Sequence, residues 1–352
     1  MDNLVLDPGQ PDGAKLVFPV ARPETGRLVE VADGILWTQF PLPFALNHVN
    51  VYFIRDGDGW AVIDTGIGDE RTYALWRRIV AETLPGGKLT RLIVTHFHPD
   101  HIGAGSWLIE EYGLPLYMSR SEYLYNIVLH RSDETVIQTY RDFYTLRGLS
   151  AAKAEAILKA GHDYVDRTAP MPPIYHALED GDVLDIGGRR FEILTGGGHS
   201  WDQLMLFQRA ANVLIVADQV LPKISPNISV VALEPRNDPL GIYLKSIDRL
   251  SRKIPEGVLA LPGHRLPFLG LHARIAELTH HHELRCDEIV AACTEPRSAA
   301  DLIPMLFFEG MDTQQTSFAF CEIVAHLNYL VARDRMREVM EDGVVKYVST
   351  KR

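Results

Sequence analysis

Cysteine is scarce. The 352 residues hold three, Cys286, Cys293 and Cys321, with no Cys-x-x-Cys pair. That excludes a disulfide-built scaffold and a cysteine-type zinc ribbon, and it makes a reduced, cytoplasmic setting the expectation. All three fall in helix-forming text near the C-terminus and read as buried free thiols. Long apolar runs are missing too: nothing approaches the ~18 residues that a membrane-spanning helix needs, so no membrane association is expected. The opening MDNLVLDPGQPDGAKL lacks the apolar core and small-residue cleavage site of a secretory leader. Positive charge is in deficit, with 35 Lys+Arg against 46 Asp+Glu and a formal net charge of −11. A polyanion-binding protein needs a basic face, so a small molecule rather than nucleic acid is the expected partner.

What is present is ordinary globular text, 46% hydrophobic and 23% charged, long enough for one large α/β domain and a smaller second one. Residues 1–27 read as an N-terminal extension. From residue 28 short β-prone runs follow one another: Ile35 to Phe40, Val49 to Ile54, an Asp56-Gly57-Asp58-Gly59 turn, then Ala61 to Ile63. A helical period over 69–83 leads to Leu89 to Thr95, and this strand–helix–strand order predicts layered α/β architecture. Residues 120–172 change character, with tyrosines at helical spacing and a proline-rich end, and read as a helical insertion of the kind that forms lids. Further strands are predicted at Val183 to Ile186, Phe191 to Leu194, Leu204 to Phe207, Val213 to Ala217 and Val258 to Leu261. The main domain so defined covers 28–270. Residues 271–352 read as three helices and a hairpin around Asp342-Gly343, a pattern that fits a small winged-helix-like module.

The chemistry is concentrated in Thr95-His96-Phe97-His98-Pro99-Asp100-His101. An apolar strand delivers the chain to His96, and helical text resumes at Ile102, so these side chains sit in a short loop between rigid elements. In extended chain His96 and His98 point the same way; Asp100 and His101 then turn toward a second position, as in centres whose two ions stand roughly 3.5–4 Å apart. Three more polar residues close apolar strands: His199 after Gly196-Gly197-Gly198, Asp218 after Val213 to Ala217, and His264 after Pro262-Gly263. Each alone reads as a rim or loop residue. Together with the first cluster they supply the donors that two metal ions require.

Strand, HxHxDH, helix, then GGGH, a lone Asp and a GH resembles the metallo-β-lactamase superfamily, over roughly residues 28–270. The resemblance implies a four-layer αββα sandwich. It implies that His96, His98 and His199 hold one metal, that Asp100, His101 and His264 hold the other, and that Asp218 bridges them. The Asp64-Thr65-Gly66 turn resembles a family feature that supports the site without binding metal. A bridging Asp at this point resembles the glyoxalase II, lactonase and ribonuclease branches more than true β-lactamases. The C-terminal region resembles the winged-helix tail attached to some lactamase-like proteins.

From this set follows hydrolysis. A hydroxide bridging two divalent cations is available near neutral pH, and Asp100 can orient it and pass a proton to the leaving group. Histidine and carboxylate ligands suit zinc, with manganese or iron as alternatives. A carboxylic ester, thioester or lactone is the expected substrate class. Tyr123 and Tyr144 of the insertion, and Lys223, Ser225 and Asn227 of the loop after Asp218, are the expected substrate contacts. The alternatives are a lactamase-like endoribonuclease and a mononuclear iron persulfide dioxygenase. Residues 273–352 carry nine Lys+Arg against thirteen Asp+Glu. Phosphate contacts dominate nucleic-acid affinity, so the C-terminal module is expected to pack on the catalytic domain or form a homodimer contact. The run His280-His281-His282 reads as a solvated or interdomain face, and His326 as a packed histidine.

Overall fold

The computed structural model describes residues 16–44, 46–131, 133–161 and 163–350, so residues 1–15 of the expected N-terminal extension lie outside it. The chain divides into two units: residues 1–130, 164–226 and 247–275 form the first, and 131–163, 227–246 and 276–352 the second. The segment 120–172 is therefore shared out. Its ends belong to the first unit and its middle to the second.

In the first unit β1 (Val29–Ala32), β2 (Ile35–Pro41), β3 (His48–Asp56), β4 (Gly59–Ile63), β5 (Leu89–Ile93), β6 (Leu116–Met118) and β7 (His176–Ala177) make one sheet in that order. A second sheet runs β12 (Leu259–Pro262), β11 (Val213–Ala217), β10 (Gln203–Gln208), β9 (Arg189–Gly196) and β8 (Val183–Ile186). In chain order the helices are α1 (Glu70–Arg78), α2 (Pro99–Ile102), α3 (Gly105–Tyr112), α4 (Arg120–His130), α5 (Glu134–Leu146), α6 (Ala151–Gly161), α7 (Asp163–Arg167), α8 (Pro239–Lys253), α9 (Leu271–Ala292), α10 (Ala299–Leu306) and α11 (Thr313–Val331). β1 to β4 pair antiparallel through short turns, whereas β4 with β5 and β5 with β6 are parallel. Parallel neighbours need a crossover; α1 supplies the first, and α2 and α3 the second. Asp69 caps α1 by accepting the Thr72 N–H at 2.7 Å.

Strand β3 shows why the text is so apolar. Val49, Val51 and Phe53 face the helical layer with Trp60, Val62 and Trp76, while Tyr52 and Ile54 join Trp37, Ile63, Ile193, Leu206 and Ile215 between the sheets. Alternate residues of a strand point to opposite faces. With both faces covered, the strand reads as a nearly continuous hydrophobic run. Each such side chain contributes about 1.5–3 kcal/mol on burial. His48 and Asn50 share the Tyr52 face and are equally buried; their partners are in the site.

The second unit packs Phe143 and Tyr144 of α5 against Phe320 of α11, with ring centroids 6.0 and 5.6 Å apart. It ends in the hairpin β13 (Met336–Glu341) and β14 (Val344–Ser349). Asn328 donates to the Pro235 and Asn237 carbonyls at 3.1 and 2.8 Å, tying α11 to the chain before α8. All three cysteines are buried thiols, as the sequence suggests.

Two readings change. The sequence reading assigns no element between Ala217 and Val258, yet α8 lies there, with Leu240, Tyr243, Ile247 and Leu250 buried at three- and four-residue spacing. His282 is not solvated: it is buried, with Nδ1 3.2 Å from His326 Nε2, while His280 is exposed. Among the described residues no helix is long and apolar enough to cross a membrane.

Candidate metal centre

Four segments at strand ends, all in the first unit, converge on one cluster; the first is not all loop as the sequence suggests, because α2 already begins at Pro99 and carries Asp100 and His101. Residues 96–101 follow β5, His199 follows β9, Asp218 follows β11 and His264 follows β12. Because β11 and β12 are parallel neighbours with Ala217 opposite Pro262, Asp218 and His264 emerge side by side. Three groups of side chains offer donor atoms within 4.8 Å of one another: His96, His98 and His199; His96, His101 and Asp218; and Asp100, His101 and His264. All seven side chains singled out in the sequence are in these groups.

Hydrogen bonds on the far side of three of these imidazoles, His96, His101 and His264, aim the remaining nitrogen of each inward. Asp64 accepts the Thr95 N–H at 2.7 Å and the Thr95 hydroxyl at 2.8 Å. That hydroxyl is left to accept from His96 Nδ1 at 2.9 Å, so His96 Nε2 carries the lone pair. His101 Nδ1 donates to the same Asp64 carboxylate at 2.8 Å. His264 Nδ1 donates to the His48 carbonyl at 2.8 Å. Such partners fix the tautomer and ring orientation of metal-binding histidines.

β3 holds the His264 turn with its polar face. Asn50 Nδ2 donates to the Pro262 and Arg265 carbonyls at 2.7 and 2.9 Å, and the Tyr52 hydroxyl donates to Pro262 at 2.7 Å. His48 Nε2 accepts the Arg265 N–H at 3.0 Å. The alternation His48, Asn50, Tyr52 in an otherwise apolar strand was a readable signal that this face meets something polar.

Asp218 Oδ2 is the hub. It stands 3.1 Å from His264 Nε2, 3.5 Å from His199 Nε2 and 3.6 Å from His101 Nε2. Asp100 Oδ2 is 3.3 Å from His264 Nε2 and 3.7 Å from His101 Nε2. His101 Nε2 and Asp218 Oδ1 are buried and make no hydrogen bond to any described residue. Leaving such atoms unmatched costs free energy, and two carboxylates ringed by imidazole nitrogens are matched when a cation stands among them. The donor set therefore fits divalent metal.

The charge states agree. Burial, helped by neighbouring imidazoles, lowers His96 and His98, the latter to about 3, so both are neutral and can donate a lone pair. Burial also opposes charge on His101 and His264, but Asp218 and Asp100 overcome it and raise both, His264 to about 10. Burial raises Asp100 and Asp218, yet His101 and His264 hold both below the usual carboxylate range. In the absence of metal those protons balance the carboxylates.

The expected substrate contacts have neighbours of their own. The Tyr123 ring stacks on Tyr175 at 3.8 Å and its hydroxyl donates to the Pro172 carbonyl at 3.0 Å. Lys223 is exposed with its ammonium 5.1 Å from the Phe18 ring centroid, and Ser225 is half-buried nearby in sequence. Tyr144 and Asn227 belong to the second unit, where Tyr144 packs on Phe143 and Asn227 accepts from Ser229 at 3.2 Å. A different aromatic group lies beside the cluster: Phe97 is 4.6 Å from the His98 ring and 4.6 Å from Tyr125, which is 5.5 Å from Trp201. All three rings are half-buried.

The matching family models are the metallo-beta-lactamase superfamily over residues 45–264 and the metallo-beta-lactamase-like C-terminal domain over residues 286–350. The chain belongs to the metallo-beta-lactamase superfamily. A solved beta-lactamase domain protein from Burkholderia ambifaria is 36% identical, with a TM-score of 0.88 over 96% of this chain and 98% of that one. A Bacillus subtilis (strain 168) protein, probable metallo-hydrolase YqjP, is 21% identical over 91% of this chain and 99% of its own length. The Bos taurus acyl-coenzyme A thioesterase MBLAC2 is 25% identical over 66% of this chain and 79% of its own. Fold, donor cluster and relatives together support a metallo-hydrolase enzyme.

Proposed function

We propose that this chain is a dinuclear metal hydrolase that cleaves a carbonyl ester, with a thioester as the leading substrate. The observation that carries this reading is the position of Asp218 Oδ2, which faces histidines of both donor sets at 3.1 to 3.6 Å. His96, His98 and His199 would hold one ion, Asp100, His101 and His264 the other, with Asp218 between them. Zinc is the best match to this ligand chemistry, with manganese and iron as alternatives. Two bound divalent ions supply a water acidified toward neutrality and polarise the scissile oxygen.

The protein's own residues do the rest. Asp100 can accept a proton from the attacking water and return it to the leaving group. The half-buried rings of Phe97, Tyr125 and Trp201 offer an apolar resting place for an acyl group next to His98. The thioesterase relative favours a thioester among the carbonyl esters. A phosphodiester is disfavoured by the acidic balance of the chain.

Elemental analysis combined with a screen of thioesters, aryl esters, lactones, phosphodiesters and short RNA tests the reading. About two zinc ions per chain with thioester turnover supports it. One iron with oxygen uptake and no hydrolysis overturns it.

A further inference from the structure

Helix α4 carries two fully buried polar side chains four residues apart, Glu122 and Asn126, and this spacing puts both on one helix face. Glu122 Oε2 accepts the Phe97 N–H at 3.0 Å, and Glu122 Oε1 accepts the Asp202 N–H at 2.8 Å. Phe97 lies between His96 and His98. Asp202 lies three residues beyond His199, immediately before β10. The Phe97 carbonyl is held as well: the Tyr164 hydroxyl donates to it at 3.0 Å, and Asn126 Nδ2 donates to that hydroxyl at 3.1 Å.

The two loops joined in this way leave different sheets, one from β5 and the other between β9 and β10. One carboxylate spans both. Hydrogen bonds from backbone N–H groups to a carboxylate are about twice as strong as neutral ones, and a buried acid would otherwise be costly. His101 and His264 have other supports, Asp64 for the first and the His48 carbonyl for the second.

We propose that Glu122 is a positioning residue that sets the distance between the His96–His98 pair and His199, and so governs the three-histidine metal position selectively. This rests on the metal-centre reading above. Removing the second oxygen acceptor, as in Glu122→Gln, turns an amide NH2 toward one backbone N–H and releases one loop.

The test isolates each position. In a His264→Ala background the three-histidine set stays intact; in a His98→Ala background the Asp100, His101 and His264 set does. Zinc affinity is measured in both, with and without Glu122→Gln, by competition with a chromophoric chelator. The expected result is a loss on the order of 10–100-fold in the first background and none in the second. Equal losses in both, or no loss in the first, overturn the proposal. Glu122→Asp keeps the charge but is one methylene too short to reach both loops, and it repeats the comparison if Glu122→Gln does not fold. If neither variant folds, the role is structural and the proposal falls. A parent chain that takes up no zinc sinks the metal reading itself, which differs from a parent and a variant that bind alike.

Discussion

The Asp64 carboxylate lies 2.8 Å from His101 Nδ1, with both side chains buried. The same carboxylate receives the backbone and hydroxyl of Thr95, so it orients His101 directly and His96 through that hydroxyl. Asp64 adopts a left-handed backbone, φ 62°, which Asn tolerates equally well. Asp64→Asn should therefore fold, but its amide NH2 would face one of the donors that the carboxylate accepts. Zinc affinity is expected to fall about 10–100-fold in a chelator competition titration. Unchanged affinity would mean that His101 is oriented by something else.

Gly263 sits where no side chain fits. A Cβ there would run into Asp218 Oδ1 and lie 2.8 Å from His101 Cε1. Its φ is not in the left-handed region, so the constraint is space alone. Overpacking of this kind costs about 1–3 kcal/mol, and here the displaced atoms are the donors. Gly263→Ala is expected to lose metal content while far-UV circular dichroism stays native. Full metal content in the variant would show that the turn yields instead.

Trp76 links the core to the site. It is fully buried against Phe40 and Phe53, and its indole N–H donates to the Thr65 carbonyl at 2.8 Å. Thr65 in turn donates its hydroxyl to the His101 carbonyl at 2.9 Å. Trp76→Phe keeps most of the ring but strands the Thr65 carbonyl, at about 1–3 kcal/mol. Trp76→Ala should cost about 3–5 kcal/mol. Urea unfolding of the metal-free chain measures both, and equal midpoints for the two variants would contradict the separation.

Glu122 predicts a pH dependence. Burial raises its carboxyl to about 7, with the Asp202 N–H opposing, against 4.5 in the unfolded chain. Between these values the folded state binds a proton that the unfolded state has lost, so stability falls as pH rises. Below about 4.5 both states are protonated and the penalty vanishes; above about 7 it is complete. At about 1.4 kcal/mol per pH unit across that window, the wild-type chain should lose on the order of 3 kcal/mol relative to Glu122→Gln. Metal-free unfolding at pH 5 and pH 8 measures the difference. A gap that does not change with pH would show that Glu122 does not titrate there.

The residue types that offer metal donors are local. HxHxDH between an apolar strand and a helix names four donors within six residues, and His199, Asp218 and His264 announce themselves by closing apolar strands. The strands themselves were legible because burial on both faces leaves continuous apolar runs. Helix α8 is equally legible from the three- and four-residue spacing of Leu240, Tyr243, Ile247 and Leu250. Distances between donors are another matter. Asp218 becomes the hub because β11 and β12 pair in parallel and bring Ala217 opposite Pro262, a relation between segments far apart in the chain. Nothing local marks Glu122; its partners lie 25 and 80 residues away. Ligand character depends on one side chain and its neighbours, and sequence states it. Ligand spacing depends on which strands pair and which face each loop meets, and only the packed chain decides that.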